Sequence, residues 1–135
     1  MASVDEAGFT AWLEGYKRAW EERDPAQAAA LFTDEASYRE APFDPPMIGR
    51  AAIEAYWAGA VAGQKDVQFT YEVLACRGNE GISSWHAAFT GVPGGEAIDL
   101  DGIFRCRFHD GGLVSALEEW WHIRIVPSGT NPPID

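Results

Sequence analysis

Cysteine is scarce in this chain: there are two, Cys76 and Cys106, with no CxxC pair and no histidine at metal-ligand spacing beside either. That argues against a disulfide-built fold and a cysteine zinc site, and makes two buried, reduced thiols in a cytoplasmic protein the expectation. Positive charge is also in short supply, with 10 Lys and Arg against 21 Asp and Glu and a formal charge of −11. A field of that sign repels phosphate backbones and anionic lipid, so no nucleic-acid partner and no membrane partner is expected. No apolar run approaches the length of a membrane span, and the acidic start MASVDEAG has no apolar signal core. The three histidines show no recognised ligand spacing, so neither a metal nor another cofactor is expected.

Aromatic residues, by contrast, are plentiful. Hydrophobic residues make up 47% of the 135 positions and include six Trp, seven Phe and four Tyr, which excludes disorder and suits one domain. That aromatic load exceeds what a small core needs and points to an aromatic-lined cavity.

The helical period comes first. Ser3 and Glu6 match a capping box, and Phe9, Trp12, Leu13, Tyr16 and Trp20 then recur on one helical face. Asp24-Pro25 ends that helix and opens a short second one, with Asp as N-cap and Ala28, Leu31 and Phe32 as its apolar positions. The segment SYREAPF, 37–43, alternates like a brief strand until Pro42, Pro45 and Pro46 interrupt it. After Gly49-Arg50 a third helix carries Ile53, Tyr56, Trp57, Ala60 and Val61.

Past Gly63 the period becomes two. Strands are expected at 67–77, 82–92, 96–109 and 112–126, joined by the turn-forming RGNEG, VPGGE and HDGG. Helices followed by an antiparallel meander define an α+β fold, with three helices on one face of the sheet. Residues 127–135, VPSGTNPPID from Val126 onward, are expected to be a flexible tail after a single domain of 1–126.

Alternation also assigns the faces. Ile98, Leu100, Gly102, Phe104, Cys106 and Phe108 share the inward face of the third long strand, as do Trp85, Ala87 and Phe89 on the one before. On the last strand the inward set is Leu113, Ser115, Leu117, Glu119, Trp121 and Ile123, which makes Glu119 the one charge on an apolar face. The Asp110-Gly111 turn pairs Phe108 with Leu113, and so sets Glu119 opposite Gly102 and Trp121 opposite Leu100. A buried carboxylate needs a partner, such as Arg50, or else must line a pocket. Glu40 reads from sequence alone as a solvated edge residue. The outer face carries Arg105, Trp120 and His122.

The run YKRAWEERDPAQAAALFTDEASYREAPFDPPMIGRAAIEAYW, followed by four strands and GGLVSALEEWW, resembles the nuclear transport factor 2-like superfamily over residues 8–124. That superfamily includes ketosteroid isomerase, limonene epoxide hydrolase and SnoaL-like cyclases. The resemblance implies a cone-shaped, curved sheet enclosing an apolar pocket, and pairing of two copies through the outer face by Arg105, Trp120 and His122.

Residue by residue, the isomerase comparison puts its carbonyl-polarising tyrosine at Tyr16, its base at Glu40 and its flanking tryptophan at Trp121. Its second oxyanion donor falls on Phe104, which cannot donate. The epoxide hydrolase comparison puts a water-activating acid at Glu119 and a tyrosine at Tyr38. It puts Trp85 and Ala87 where its Arg–Asp pair belongs. The resemblance therefore implies a cofactor-independent acid–base enzyme, of isomerase, lyase or cyclase type, for a small hydrophobic carbonyl compound. Glu40, Tyr16 and Glu119 are its catalytic candidates. Trp12, Tyr38, Trp57, Trp85, Phe89, Leu100, Phe104 and Trp121 are the expected substrate contacts. Water addition led by Glu119 and a binding domain without chemistry are the alternatives.

Overall fold

The helical spacing of Phe9, Trp12, Leu13, Tyr16 and Trp20 becomes α1, Glu6–Glu21, in the computed structural model, which describes residues 3–128. All five side chains are buried. The helix is capped by Asp5, not by Ser3: the Asp5 carboxylate accepts from the Gly8 N–H at 2.8 Å. Asp5 directly precedes the first helical residue, and its charge also suits the helix N-terminus. Asp24 caps α2, Pro25–Ala29, in the same way, accepting from the Gln27 N–H at 3.1 Å. Gly49 opens α3, Arg50–Ala62, at a φ of 96°, a conformation that glycine adopts freely. Ile53, Trp57 and Val61, one turn apart, form the buried edge of that helix.

The strands are β1 (Phe32–Arg39), β2 (Met47–Ile48), β3 (Gln64–Arg77), β4 (Glu80–Gly91), β5 (Ala97–Phe108) and β6 (Val114–Val126). They form one curved open sheet in the order β2-β1-β6-β5-β4-β3. Its pairs are antiparallel except one. β1 runs parallel to β6, with Tyr38 opposite Leu117 and Arg39 opposite Glu118. A parallel pair needs a long crossover, and the chain between these strands supplies it with α3 and the β3–β5 meander. β1 also begins at Phe32, five residues before the alternating segment in the sequence, because Phe32 leaves α2 to pair with Val114. Of the tail expected after Val126, residues 129–135 lie outside the described residues.

The register of β5 with β6 differs from the one that the turn implies. Phe108 faces Val114, Arg107 faces Ala116, and the intervening Ser115 is a bulge. Val114, not Leu113 or Ser115, therefore fills the inward position there. Beyond the bulge Glu119 sits opposite Phe104, and Trp121 sits opposite Gly102. The alternation holds around the site, where Leu117 and Glu119 are buried and Trp120 is exposed; Ile123, expected inward, lines the cavity but is 50% exposed.

The helices cover this inward face with aromatic contacts. Phe9 meets Phe108 edge-on at 5.6 Å between ring centroids. Tyr16 stands edge-on to Trp57 at 5.4 Å and to Phe104 at 5.0 Å. Edge-to-face pairs of this kind add to the stabilisation from apolar burial.

Candidate active site

A cavity of about 500 Å³ lies between α1, α3 and the inward sheet face. Helix α1 contributes Tyr16 and Trp20, one turn apart, and α3 contributes Tyr56 and Trp57. Tyr38 and Glu40 come from the end of β1 and the residue after it. The sheet supplies Trp85, Phe89, Leu100, Glu119, Trp121 and Ile123. The two carboxylates singled out in the sequence thus share one cavity.

Glu119 is 5% exposed, and among the described residues no cation lines its cavity. Arg50 is engaged elsewhere, with Asp34 at 2.8 Å and the Phe32 carbonyl at 2.6 Å. Burial pushes Glu119 from its ordinary 4.5 up to about 8; the Tyr38 hydrogen bond opposes this, and the Glu40 charge adds to it. Glu119 therefore carries its proton at neutral pH.

A line of hydroxyls leads from that acid toward α1. Tyr38 Oη lies 3.0 Å from Glu119 Oε1, and Tyr16 Oη lies 3.0 Å from Tyr38 Oη. Each phenol has one proton, so the three groups donate in one direction at a time. With Glu119 ionised, Tyr16 donates to Tyr38 and Tyr38 donates to the carboxylate. With Glu119 protonated, the order reverses and the Tyr16 proton is released to the cavity. Burial first, then the nearby Glu119, pushes both phenols well up, so neither ionises near neutral pH.

Glu40 is half-buried, and its backbone is fixed by Trp121, whose indole N–H donates to the Glu40 carbonyl at 2.9 Å. Tyr56 is pushed up by burial, then by Glu119 and Glu40. The cavity thus combines carboxyl, phenol and indole groups.

Of the expected site residues, Tyr16, Tyr38, Glu40 and Glu119 converge on the cavity, as do Trp57, Trp85, Phe89, Leu100 and Trp121. Trp12 and Phe104 do not reach it. Trp12 is turned toward Phe32 and Phe108, and its indole donates to the Leu31 carbonyl at 3.0 Å. Phe104 is fully buried beneath Trp85, with ring centroids 5.0 Å apart. Both belong to the packed core and do not line the cavity. Gly102 leaves no gap beside Glu119 either. A Cβ there would lie 2.8 Å from that of Trp121 and closer still to the Trp120 carbonyl, so the glycine makes room for the β6 backbone at Trp120 and Trp121.

Sequence reading missed Trp20, Tyr56 and Gln64 as cavity residues. Trp20 shares the helical face of Tyr16, which was a usable signal. Gln64, at the start of β3, had none; its Oε1 accepts from the Trp20 indole at 2.8 Å.

The outer face is laced with charge pairs. Glu80 meets Arg105 at 2.6 Å, and His86 lies between Asp99 at 3.1 Å and Asp101 at 3.2 Å. His122 stands opposite Asp101, not near Asp99 as the turn-based register implies, and Arg124 takes Asp99 at 3.0 Å. Among the described residues no group of three or more acidic, His or Cys side chains is arranged to hold a metal, and no helix is long and apolar enough to cross a membrane.

A curved six-stranded sheet closed over by N-terminal helices, with a cavity between them, defines the nuclear transport factor 2-like class. Within it, the chain belongs to the SnoaL-like domain family, whose model matches residues 13–116.

Solved structures agree on the fold. The epoxide hydrolase/cyclase-like enzyme SalBIII, of pyran ring formation in the polyether salinomycin, superposes with a TM-score of 0.76 at 19% identity, over 88% of this chain and 96% of its own. A hypothetical protein with a ketosteroid isomerase-like fold from Catenulispora acidiphila, in complex with trimethylamine, gives a TM-score of 0.71 at 15% identity, over 81% and 83%. A computationally designed 17-OHP binder gives 0.74 at 19% identity, over 86% and 95%. At these identities the likeness is one of fold alone. No functionally curated protein matches the sequence.

Proposed function

We propose that this protein is a cofactor-independent acid–base enzyme of isomerase or lyase type, acting on a small, largely apolar carbonyl compound. One observation carries the reading: two carboxylates share an aromatic cavity, and their surroundings differ. The half-buried Glu40 suits a base, and the buried Glu119 keeps its proton at neutral pH. In this reading the Glu40 carboxylate takes a proton from the carbon next to the carbonyl. The C–H electron pair moves toward the carbonyl oxygen, which Tyr16 meets with its hydroxyl proton. That proton is free for the task because Glu119, as an acid, donates to Tyr38 and Tyr38 donates to Tyr16. Glu40 then returns its proton to another carbon, or a β-substituent leaves. Membership in the SnoaL-like family supports the class, as does a fold shared with an epoxide hydrolase/cyclase-like enzyme and with a hypothetical protein of ketosteroid isomerase-like fold. The test is solvent-deuterium exchange into a panel of neutral cyclic ketones. Glu40→Gln abolishes exchange if the reading is right, and exchange at the wild-type rate sinks it.

Water addition led by Glu119 is the second reading, supported by the Tyr38–Glu119 hydrogen bond. It requires ionised Glu119, which is the minor form below about pH 8. Trp85 and Ala87 also stand where an epoxide-protonating pair would be needed. Oxygen from labelled water appearing in a diol product would favour it. A binding domain without chemistry is the outcome if no substrate exchanges or hydrates while ligands still bind.

We also infer a homodimer formed through the outer face. Trp120, 42% exposed, stands there beside Arg105, whose guanidinium is held in place by Glu80 and Glu118. Exposed aromatic and arginine side chains of this kind are enriched at interfaces.

A further inference from the structure

The cavity holds two carboxylates and no basic residue: no Lys, Arg or His is among its lining side chains. Its walls include the aromatic side chains Trp20, Tyr56, Trp57, Trp85 and Trp121. Glu119 accepts a hydrogen bond at Oε1 from Tyr38, while its Oε2 has no protein partner among the described residues. That side chain is 5% exposed and belongs to the cavity wall. An anionic ligand is repelled by this acidity. Aromatic faces attract an ammonium group through their quadrupole, most strongly where water is excluded. Carboxylates add a longer-range attraction of the same sign.

We infer that the compound taken up by this cavity is a cation, a small apolar amine in its ammonium form, held on the indole faces with its charge directed toward Glu40 and Glu119. This rests on the acid–base reading only in taking the cavity as the ligand site. Within that reading, it narrows the carbonyl compound to one bearing a basic nitrogen.

The titrating groups around Glu119 make the inference measurable. Those facing it are Glu40 after β1, Tyr38 on β1, Tyr16 on α1, Tyr56 on α3 and Cys106 on β5. The phenols and the thiol are all pushed up and stay neutral, so the two glutamates alone set the charge of the cavity. A bound cation favours ionised Glu119, so binding releases a proton below about pH 8 and tightens as pH rises toward that value.

The experiment is a titration of the whole protein, by tryptophan fluorescence and calorimetry, with phenyltrimethylammonium and tert-butylbenzene. These probes share a shape and differ by one charge. The ammonium is expected to bind about tenfold more tightly near pH 8.5, with a smaller margin near pH 6.5 and proton release visible as a buffer-dependent heat. In Glu119→Gln the pH dependence of the margin disappears. Equal or tighter binding of tert-butylbenzene at both pH values overturns the inference, and so does the absence of binding by either probe. Exchange into neutral ketones is measured without any amine, so that reaction can survive the loss of this inference, and the inference can survive the loss of that reaction.

Discussion

Tyr38 and Glu119 meet through a 3.0 Å hydrogen bond although 81 positions separate them in the chain. Their meeting depends on β1 lying parallel to β6, and it brings a carboxyl from the last strand within reach of a phenol on the first. The bond favours the ionised form of Glu119 and so restrains a value that burial pushes up to about 8. Tyr38→Phe is therefore expected to raise it further, as read from the pH dependence of the Glu119 carboxyl ¹³C shift. The same change removes the hydrogen-bond partner of Tyr16 and should cost about 1–3 kcal/mol in chemical denaturation. A lowered carboxyl pKa would contradict this account.

Glu119 also makes folding stability depend on pH. Its value rises from 4.5 to about 8 on folding, so between those limits the folded chain holds a proton that the unfolded chain has lost. The contribution of the group is thus fully present below pH 4.5 and declines as pH rises through about 8. The decline amounts to roughly 5 kcal/mol. Glu119→Gln removes it. Urea denaturation from about pH 5 to about pH 9 should show a slope in the wild type that the variant lacks.

Gly102 holds the space behind Trp121. An added methyl would meet the Trp121 Cβ at 2.8 Å and press on the Trp120 carbonyl. Gly102→Ala is expected to cost about 1–3 kcal/mol and to displace the indole, weakening the N–H bond to the Glu40 carbonyl. Near-ultraviolet circular dichroism and the denaturation midpoint report the two effects separately.

Trp120→Glu places a charge in the middle of the proposed dimer face without touching the cavity. Sedimentation should change from two copies to one, with far-ultraviolet circular dichroism unchanged. A wild-type monomer, or a variant dimer, would end the proposal.

The helical faces, the strand faces and the burial of Glu119 were legible because each depends on local periodicity. The bulge at Ser115 was not, since nothing nearby in sequence marks which residue of Leu113 to Ala116 drops out of the ladder. That one residue moved Glu119 from Gly102 to Phe104. Depth was illegible for a related reason. Trp12 and Tyr16 share one helical face, yet one turn of helix separates a core side chain from a cavity side chain. The parallel β1–β6 pair is a contact between distant segments, which periodicity cannot report. The family resemblance supplied Glu40, which the residues alone would have left in solvent.

The sheet order has a consequence for how this protein is made. β6 lies between β1 and β5, although it follows both in the chain. Until its residues leave the ribosome, the sheet exists as two disconnected pieces, β2-β1 and β5-β4-β3, each with an open edge. During synthesis the nascent chain thus carries aromatic helices with only part of a surface to cover, the kind of exposure that favours misassociation. The strand that carries Glu119 is the one that joins the two pieces.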